Sequence, residues 1–279
     1  MKSILCFLVT FVLVCQAIAA EPLDVWPELA PAETTRSLGE HLPLNPREQP
    51  PVTRIVKVTR PTLDYFPVEG DNGPTVLILP GGGFIKIVPD KEGSEAATWL
   101  NRLGVSAFVL RYRTEDRPDR PAWIKALQDA QRSLALIRAR ADSWQLDPDR
   151  IGLLGFSAGG QVAARLVSDR GNLAYSRVDA IDDVSHRPDF CLLIYPWKIY
   201  DSAQFATALK DPLADCLWVG YVPSREEMDQ AHELKKQVWL SLKIGERRPD
   251  IWDQARASGM DGICTDWPLE CRLHWRAGK

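Results

Sequence analysis

The sequence Gly155-Phe156-Ser157-Ala158-Gly159 is the feature that most restricts how this chain can fold. It follows the apolar run Ile151 to Leu154 and opens a stretch with helical spacing from Ala158 to Val167. Glycines two positions before and two positions after a serine remove side chains that would collide in a sharp strand-to-helix turn. Such a turn exposes the serine hydroxyl, and the following helix directs its N-terminus at developing negative charge. The alternative is a glycine-rich turn with a structural serine.

A second glycine-rich segment, Pro80-Gly81-Gly82-Gly83-Phe84, comes directly after the apolar run Thr75 to Leu79. The run is typical of a fully buried strand. Glycine-rich backbone at the end of such a strand can direct N–H groups into a site beside the serine. A plain loop and a phosphate-binding loop are the alternatives. A Walker A loop is excluded because no Gly-Lys-Ser/Thr follows, and the Rossmann fingerprint is not met.

Strand and helix patterns alternate from about residue 75 to residue 196. Further predicted elements are the helices Glu92 to Leu103 and Ala122 to Ala141, and the strands Val105 to Leu110 and Phe190 to Tyr195. The alternation predicts an α/β fold with a mainly parallel, doubly wound sheet covered by helices on both faces. Ligands bind at the carboxyl ends of strands in such sheets, where both glycine-rich segments fall. Upstream, Val52 to Thr59 alternates apolar and polar residues and predicts a half-buried antiparallel strand.

The N-terminus has the pattern of a signal peptide. Lys2 precedes the apolar run Ile4 to Val14, and Ala17-Ile18-Ala19 forms an A-x-A cleavage site. We therefore expect residues 1–20 to be removed and the protein to be exported to the periplasm or the extracellular space. An uncleaved anchor and a lipobox at Cys15 are the alternatives. Residues 21–50, rich in proline, glutamate and polar residues, are predicted to form an extended lead-in without a core.

Composition excludes several classes of function. Hydrophobic residues make up 45% and charged residues 25%, as in a soluble globular protein. The net charge is −3 and the basic residues are dispersed, so we expect no nucleic-acid partner, and no membrane partner after signal cleavage. No C-x-x-C pair occurs, so no metal site is expected. Cys264 and Cys271 could form a disulfide, and the oligomeric state is not readable.

At this point the chain resembles a known family. Residues 52–203 are similar to exported esterase- and lipase-like members of the α/β-hydrolase superfamily, described as acetyl-xylan or feruloyl esterase-like (BD-FAE-like). The similar segments read PGGGF, EGSEAATWLNRLGVSAFVLRYR and LDPDRIGLLGFSAGGQVAARL. The resemblance implies a serine carboxylic-ester hydrolase, acting without a cofactor on carbohydrate esters or small acyl esters. It implies that Ser157 is the nucleophile and that the N–H groups of Gly82, Gly83 and Ala158 form the oxyanion hole. Many relatives carry a histidine before the three glycines, where this chain has Pro80.

The resemblance stops before the triad is complete. On this fold the acid and then the histidine follow the serine along the chain. His186 precedes its strand, and His232 lies in a predicted surface helix. His274 has the correct order and is the candidate base, with Asp266 as the candidate acid. We therefore expect the sheet to be incomplete at its C-terminal end and ester hydrolysis to be weak or absent, as in an impaired fusion or truncated hydrolase.

The last part of the chain has a different character. Predicted strands at Cys216 to Val222 and Val238 to Ile244 alternate with predicted helices at Ser224 to Lys236 and Pro249 to Ser258. About residues 210–279, with the text ASGMDGICTDWP, resemble the end of a glycerophosphodiester phosphodiesterase TIM barrel. That family takes its metal ligands and acid–base groups mainly from earlier strands, so no phosphodiesterase site is carried over. We expect a hydrolase core over residues 51–203 and an atypical tail over residues 204–279. The alternative is a divergent hydrolase end.

Overall fold

The computed structural model describes residues 22–68, 70, 73–114, 121–168, 171–197, 205–206, 209–210, 216–241, 247–264 and 268–277. The predicted signal peptide, residues 1–20, lies outside the described residues. So do residues 198–204, where the boundary between core and tail was placed, and that boundary stays a prediction.

The strands within the described residues are β1 (Leu23–Asp24), β2 (Glu40–His41), β3 (Ile55–Val56), β4 (Thr62–Phe66), β5 (Thr75–Leu79), β6 (Lys86–Ile87), β7 (Ser106–Arg111), β8 (Ile151–Phe156), β9 (Cys191–Ile194), β10 (Cys216–Val219), β11 (Gln237–Ser241) and β12 (Gly262–Cys264). The α-helices are α1 (Glu95–Asn101), α2 (Ile124–Ala139), α3 (Ala158–Ser168), α4 (Arg225–Glu233), α5 (Pro249–Ser258) and α6 (Pro268–Ala277). None of these helices is long and apolar enough to cross a membrane.

The central sheet has six strands in the order β1-β4-β7-β5-β8-β9. β7, β5, β8 and β9 run parallel, and β4 and β1 add an antiparallel edge. The chain passes from β5 through α1 to β7 on one side, and then through α2 to β8 on the other side of β5. The strand order therefore reverses between β5 and β8, and the crevice at such a switch point is where α/β sheets bind ligands.

The two faces of the sheet are covered by different helices, as the alternation of side chains along β5 requires. Val76 and Ile78 pack in a cluster with Ala97 and Leu100 of α1. Leu77 and Leu79 belong to the larger cluster, which includes buried residues of α2 and α3 such as Leu134 and Val162. Because both faces are covered, β5 reads as a continuous apolar run, and the predicted parallel, doubly wound sheet is confirmed.

The prediction that residues 21–50 lack a core is wrong for the first part of this segment. Val25, Trp26 and Ala30 are buried in the larger cluster. The indole Nε1–H of Trp26 donates a hydrogen bond of 2.8 Å to Asp129 Oδ1 in α2. The local sequence does not predict this contact, because Asp129 lies more than 100 residues after Trp26 in the chain.

The predicted strand over Val52 to Thr59 is much shorter in the structure. Only β3 forms there, and it pairs antiparallel with β2 and β6 in a separate three-stranded sheet. Lys57 has a φ of 55°, a left-handed conformation that ends the strand. Strand β4, which sequence reasoning missed, follows and joins the central sheet.

The tail forms a parallel sheet of its own in the order β10-β11-β12. Its buried residues form a separate cluster that includes Leu217, Met228 and Val238. The predicted capping box at the start of α4 is confirmed, since the side chains of Ser224 and Glu227 each bond the other's backbone N–H. Cys271 has a free thiol, and the side chain of Cys264, with which the sequence left a disulfide open, lies outside the described residues.

Candidate active site

Ser157 lies in the turn between β8 and α3, with a φ of 49°. Its backbone is fixed from both sides. The N–H of Ser157 donates to the carbonyl of Ile194 at 3.1 Å, and its carbonyl accepts from the N–H groups of Gln161 and Trp197 at 3.1 and 2.9 Å. A positive φ is unfavourable for a residue with a side chain, and such strain concentrates at functional sites. This is the sharp strand-to-helix turn predicted from the glycine spacing.

The two glycines of the motif are required by close backbone contacts. A Cβ atom at Gly155 would lie 2.7 Å from the carbonyl oxygen of Gly159. A Cβ atom at Gly159 would overlap the carbonyl oxygen of Leu79, at the end of β5. The helix α3 therefore begins in contact with the neighbouring strand, and only glycine allows this approach.

The triglycine loop lies beside the serine. β5 and β8 are adjacent in the sheet, so Pro80 and Ser157 follow neighbouring carboxyl ends. A Cβ atom at Gly81 would be 2.9 Å from the Cβ of Ser157. Gly82 and Gly83 then take φ values of 133° and 67°, which turn the loop back on itself. The structure thus brings the two motifs together.

The backbone of this loop is held, yet two of its N–H groups remain available. The carbonyls of Gly81 and Gly82 accept hydrogen bonds from Val88 and Lys86. Within the part of the chain that the structure describes, the N–H groups of Gly82 and Gly83 make no hydrogen bond. Ala158 is the first residue of α3, where backbone N–H groups have no intrahelical partner. These three residues are the ones that the resemblance implies for an oxyanion hole.

Sequence reasoning missed a carboxylate at this site. The sequence predicts an ordinary helix over Glu92 to Leu103, but the structure forms a π-helical segment over Asp90–Ser94 before α1 begins. Glu92 leaves helical geometry there, with φ −107° and ψ 17°, and its Oε2 accepts the N–H of Gly81 at 2.7 Å. The preceding carbonyl, that of Pro80, accepts the hydroxyl of Tyr112 at 2.7 Å. Burial raises the pKa of Tyr112, and the negative charge of Glu92 raises it further, so this phenol stays a donor.

None of the four histidines, all within the described residues, is hydrogen-bonded to Ser157. His274 lies on α6, and its Nε2 is 2.9 Å from Asp253 Oδ1 of α5. His232 is similarly paired with Asp261 at 3.0 Å. His186 lies before β9, at the amino end of the parallel strands, and the length of β8 separates that end from Ser157 by about 20 Å.

The candidate acid Asp266 lies outside the described residues. His274 therefore has a carboxylate partner in the structure, but that partner is Asp253, on the neighbouring helix of the tail. Among the residues that the structure describes, no group of three or more His, Cys, Asp or Glu side chains could hold a metal ion.

Comparison with solved structures identifies the class of fold. The acetyl ester-xyloside bifunctional hydrolase from Caldicellulosiruptor lactoaceticus superposes with a TM-score of 0.50 at 22% identity, over 92% of this chain and 95% of that chain. The fold is that of the α/β-hydrolases. More particularly, residues 64–180, which contain both glycine motifs, match the model of the BD-FAE family. The resemblance predicted for the core is confirmed over these residues.

Two curated proteins are similar to part of the chain. An acetylxylan esterase from Xylanibacter ruminicola is 30% identical over 131 residues, or 47% of this chain and 24% of that protein. Endo-1,4-beta-xylanase B from Butyrivibrio fibrisolvens is 34% identical over 127 residues, or 43% of this chain and 19% of that protein. The chain thus spans about a quarter or less of each relative. The phosphodiesterase resemblance of the tail finds no support in these matches and stays a prediction.

Proposed function

We propose that this protein is a serine carboxylic-ester hydrolase with weak turnover, acting on small acyl esters or esters of carbohydrates. One observation carries the proposal. Ser157 occupies a strained strand-to-helix turn, and the first glycine of the loop after β5 lies against its Cβ. This arrangement supplies a nucleophile and oxyanion donors side by side, which is what acyl transfer requires.

The proposed reaction uses few groups. The Oγ of Ser157 attacks the ester carbonyl carbon, and the oxygen that becomes negative accepts hydrogen bonds from the N–H groups of Gly82, Gly83 and Ala158. The C–O bond to the alcohol then breaks, and the alcohol leaves with the proton that the hydroxyl of Ser157 has lost. Water then hydrolyses the acyl-serine, which releases the carboxylic acid and restores the hydroxyl. The N–H donors act on charge that develops in the transition state, so they accelerate the chemical step.

We expect turnover to be weak because no histidine is bonded to Ser157 to take the proton of its hydroxyl. A serine hydroxyl is a poor nucleophile without a base beside it. The two histidines of the tail are paired with Asp253 and Asp261, and neither contacts Ser157. Without a base, the oxyanion hole and substrate binding leave an acceleration of about 10³–10⁴-fold over water. The same pairing is the specific observation that favours the second candidate, a catalytically impaired fusion or truncated hydrolase.

The choice of substrate rests on the relatives. The matched segment carries both glycine motifs, and one matched protein is an acetylxylan esterase. Acetyl groups on xylan-derived sugars are therefore the first substrates to test. The A-x-A pattern in residues 1–20 supports export of the protein. Export agrees with a polymeric substrate outside the cell.

The test compares the full chain after signal removal with Ser157→Ala. We expect slow hydrolysis of p-nitrophenyl acetate and acetylated xylo-oligosaccharides by the wild type, and background hydrolysis by the variant. Equal rates for the two proteins would contradict a serine mechanism. Hydrolysis of glycerophosphodiesters in place of acetyl esters would favour the tail as the functional part.

A further inference from the structure

The carboxylate of Glu92 binds two segments beside Ser157. Its Oε2 accepts the N–H of Gly81 at 2.7 Å, and its Oε1 accepts the hydroxyl of Tyr195 at 2.8 Å. Gly81 follows β5 and Tyr195 follows β9, so one side chain connects the carboxyl ends of two strands that flank β8. Both carboxylate oxygens are used, and each bond involves a charged acceptor, which makes it stronger than a bond between neutral groups.

The same carboxylate lies next to the nucleophile. A Cβ atom at Gly81 would be 2.5 Å from Glu92 Oε2 and 2.9 Å from Ser157 Cβ. Glu92 and Ser157 therefore contact the same face of Gly81. A movement of Glu92 would shift the peptide that leads into Gly82 and Gly83.

The backbone conformation of Tyr195 is a second sign that its hydrogen bond to Glu92 matters. Tyr195 has a φ of 36°, a left-handed conformation that is rare for a bulky residue. Such strain persists where the surrounding structure imposes it, and it clusters at functional sites. Here the strained turn delivers a hydroxyl to Glu92 from the strand next to the serine turn. Glu92 itself sits in a π-helical segment, a departure from α-helix that is frequent at functional sites.

The hydrogen bonding of the three glycine N–H groups in the loop indicates what Glu92 does. The N–H of Gly81 is bonded to Glu92, while those of Gly82 and Gly83 make no hydrogen bond within the described residues. An oxyanion hole depends on donors whose direction is fixed before the charge develops. Holding Gly81 fixes the direction of the next two peptides without occupying their N–H groups.

We propose that Glu92, held by Tyr195, is a positioning residue that orients the N–H groups of Gly82 and Gly83 toward the oxyanion formed at Ser157. This inference rests on the proposed function and adds to it. Glu92 acts through the loop and does not contact substrate.

The test uses Glu92→Ala, Glu92→Gln and Tyr195→Phe in the full chain after signal removal, with Glu95→Gln as the control. Glu95 is an exposed carboxylate in the first turn of α1, three residues from Glu92. Tyr195→Phe removes a single hydroxyl, so it remains informative if Glu92→Ala does not fold.

Kinetics at high enzyme concentration give the first measurement. We expect kcat for p-nitrophenyl acetate to fall about 10- to 100-fold in Glu92→Ala and Tyr195→Phe, because small displacements of catalytic groups have effects of that size. KM should change less than about twofold, since the donors act mainly in the transition state. Glu92→Gln keeps an acceptor for Gly81 and should recover part of the rate. Glu95→Gln should match the wild type.

Hydrogen exchange of the Gly81 amide gives a second measurement that needs no activity. We expect exchange to be faster in Glu92→Ala and partly restored in Glu92→Gln. Unchanged kcat and unchanged Gly81 exchange in both Glu92→Ala and Tyr195→Phe would overturn the proposal. A fall in kcat accompanied by a comparable change in KM and by a loss of thermal stability would also overturn the proposal, because it would indicate a general structural role. If the wild type hydrolyses no ester, the proposed function fails, and the Gly81 exchange alone decides whether Glu92 fixes the loop.

Discussion

Gly81 lies so close to Ser157 that a Cβ atom on the glycine would be 2.9 Å from the Cβ of the serine. This contact joins the loop after β5 to the turn after β8 and makes one site of two motifs that are far apart in sequence. It forms because β5 and β8 are adjacent parallel strands at the point where the strand order reverses. The expected effects of mutations follow from how tightly these segments are packed.

Replacing Gly159 with alanine should disable the site. The new Cβ would overlap the carbonyl of Leu79, a backbone atom that cannot move without shifting β5. We expect destabilisation of about 1–3 kcal/mol from overpacking and loss of reactivity at Ser157. Gly104→Ala is the control, because Gly104 has a φ of 75° but no atom within 4 Å of the new Cβ. It should lose about 1–2 kcal/mol through backbone strain and retain reactivity at Ser157. Urea denaturation measures the loss of stability, and labelling with a fluorophosphonate probe measures the reactivity of Ser157. An equal loss of labelling in both variants would contradict the prediction.

The buried ion pair between Arg113 and Asp129 should be essential for stability. Both side chains are fully buried, with the guanidinium Nε 2.9 Å from Asp129 Oδ1. Asp129→Ala removes the nearer carboxylate of Arg113, leaving only Glu33 at 3.6 Å among the described residues, and it removes the acceptor of Trp26. We therefore expect a loss of about 3–5 kcal/mol.

Asp183→Ala is the matched control for this prediction. It breaks an ion pair with Arg177 in which both side chains are more than half exposed, and it should leave the unfolding midpoint unchanged. Chemical denaturation of both variants tests the comparison. Similar midpoints for Asp129→Ala and the wild type would show that the lead-in is not anchored through Trp26.

The sequence was sufficient to predict the parallel sheet, the serine turn and the loop beside it. These features depend on local apolar runs and on glycine spacing, both of which are visible within a short stretch of sequence. The burial of Trp26 and the contacts of Glu92 could not be predicted in the same way, because each involves a residue distant along the chain. The local sequence around Glu92 is compatible with a regular helix. In the structure Glu92 lies in a π-helical segment, and its carboxylate accepts the N–H of Gly81.

His274→Ala should leave any ester hydrolysis unchanged. His274 is bonded to Asp253 and packs edge-on against Trp252 within the tail, so its removal should affect only the packing of α5 and α6. His232→Ala, which breaks a similar pair with Asp261, is the matched control. Steady-state rates with p-nitrophenyl acetate provide the measurement. A loss of rate in His274→Ala as large as that in Ser157→Ala would identify His274 as the base after all.

Cleavage of the N-terminal segment should occur after Ala19 or Ala20. The A-x-A pattern at Ala17 and Ala19 sets this position. Intact mass spectrometry of the exported protein should give a chain that begins at Ala20 or Glu21. A secreted chain that still begins at Met1 would contradict the prediction.

Labelling with a fluorophosphonate probe, followed by peptide mass spectrometry, shows whether Ser157 is the nucleophile. We expect slow formation of a single adduct on Ser157, because the N–H groups of Gly82 and Gly83 make no other hydrogen bond within the described residues, while no histidine is bonded to the hydroxyl. Ser157→Ala should form no adduct under the same conditions. An adduct on a different residue, or no adduct on Ser157 after prolonged incubation of the folded protein, would contradict the assignment of Ser157 as the nucleophile.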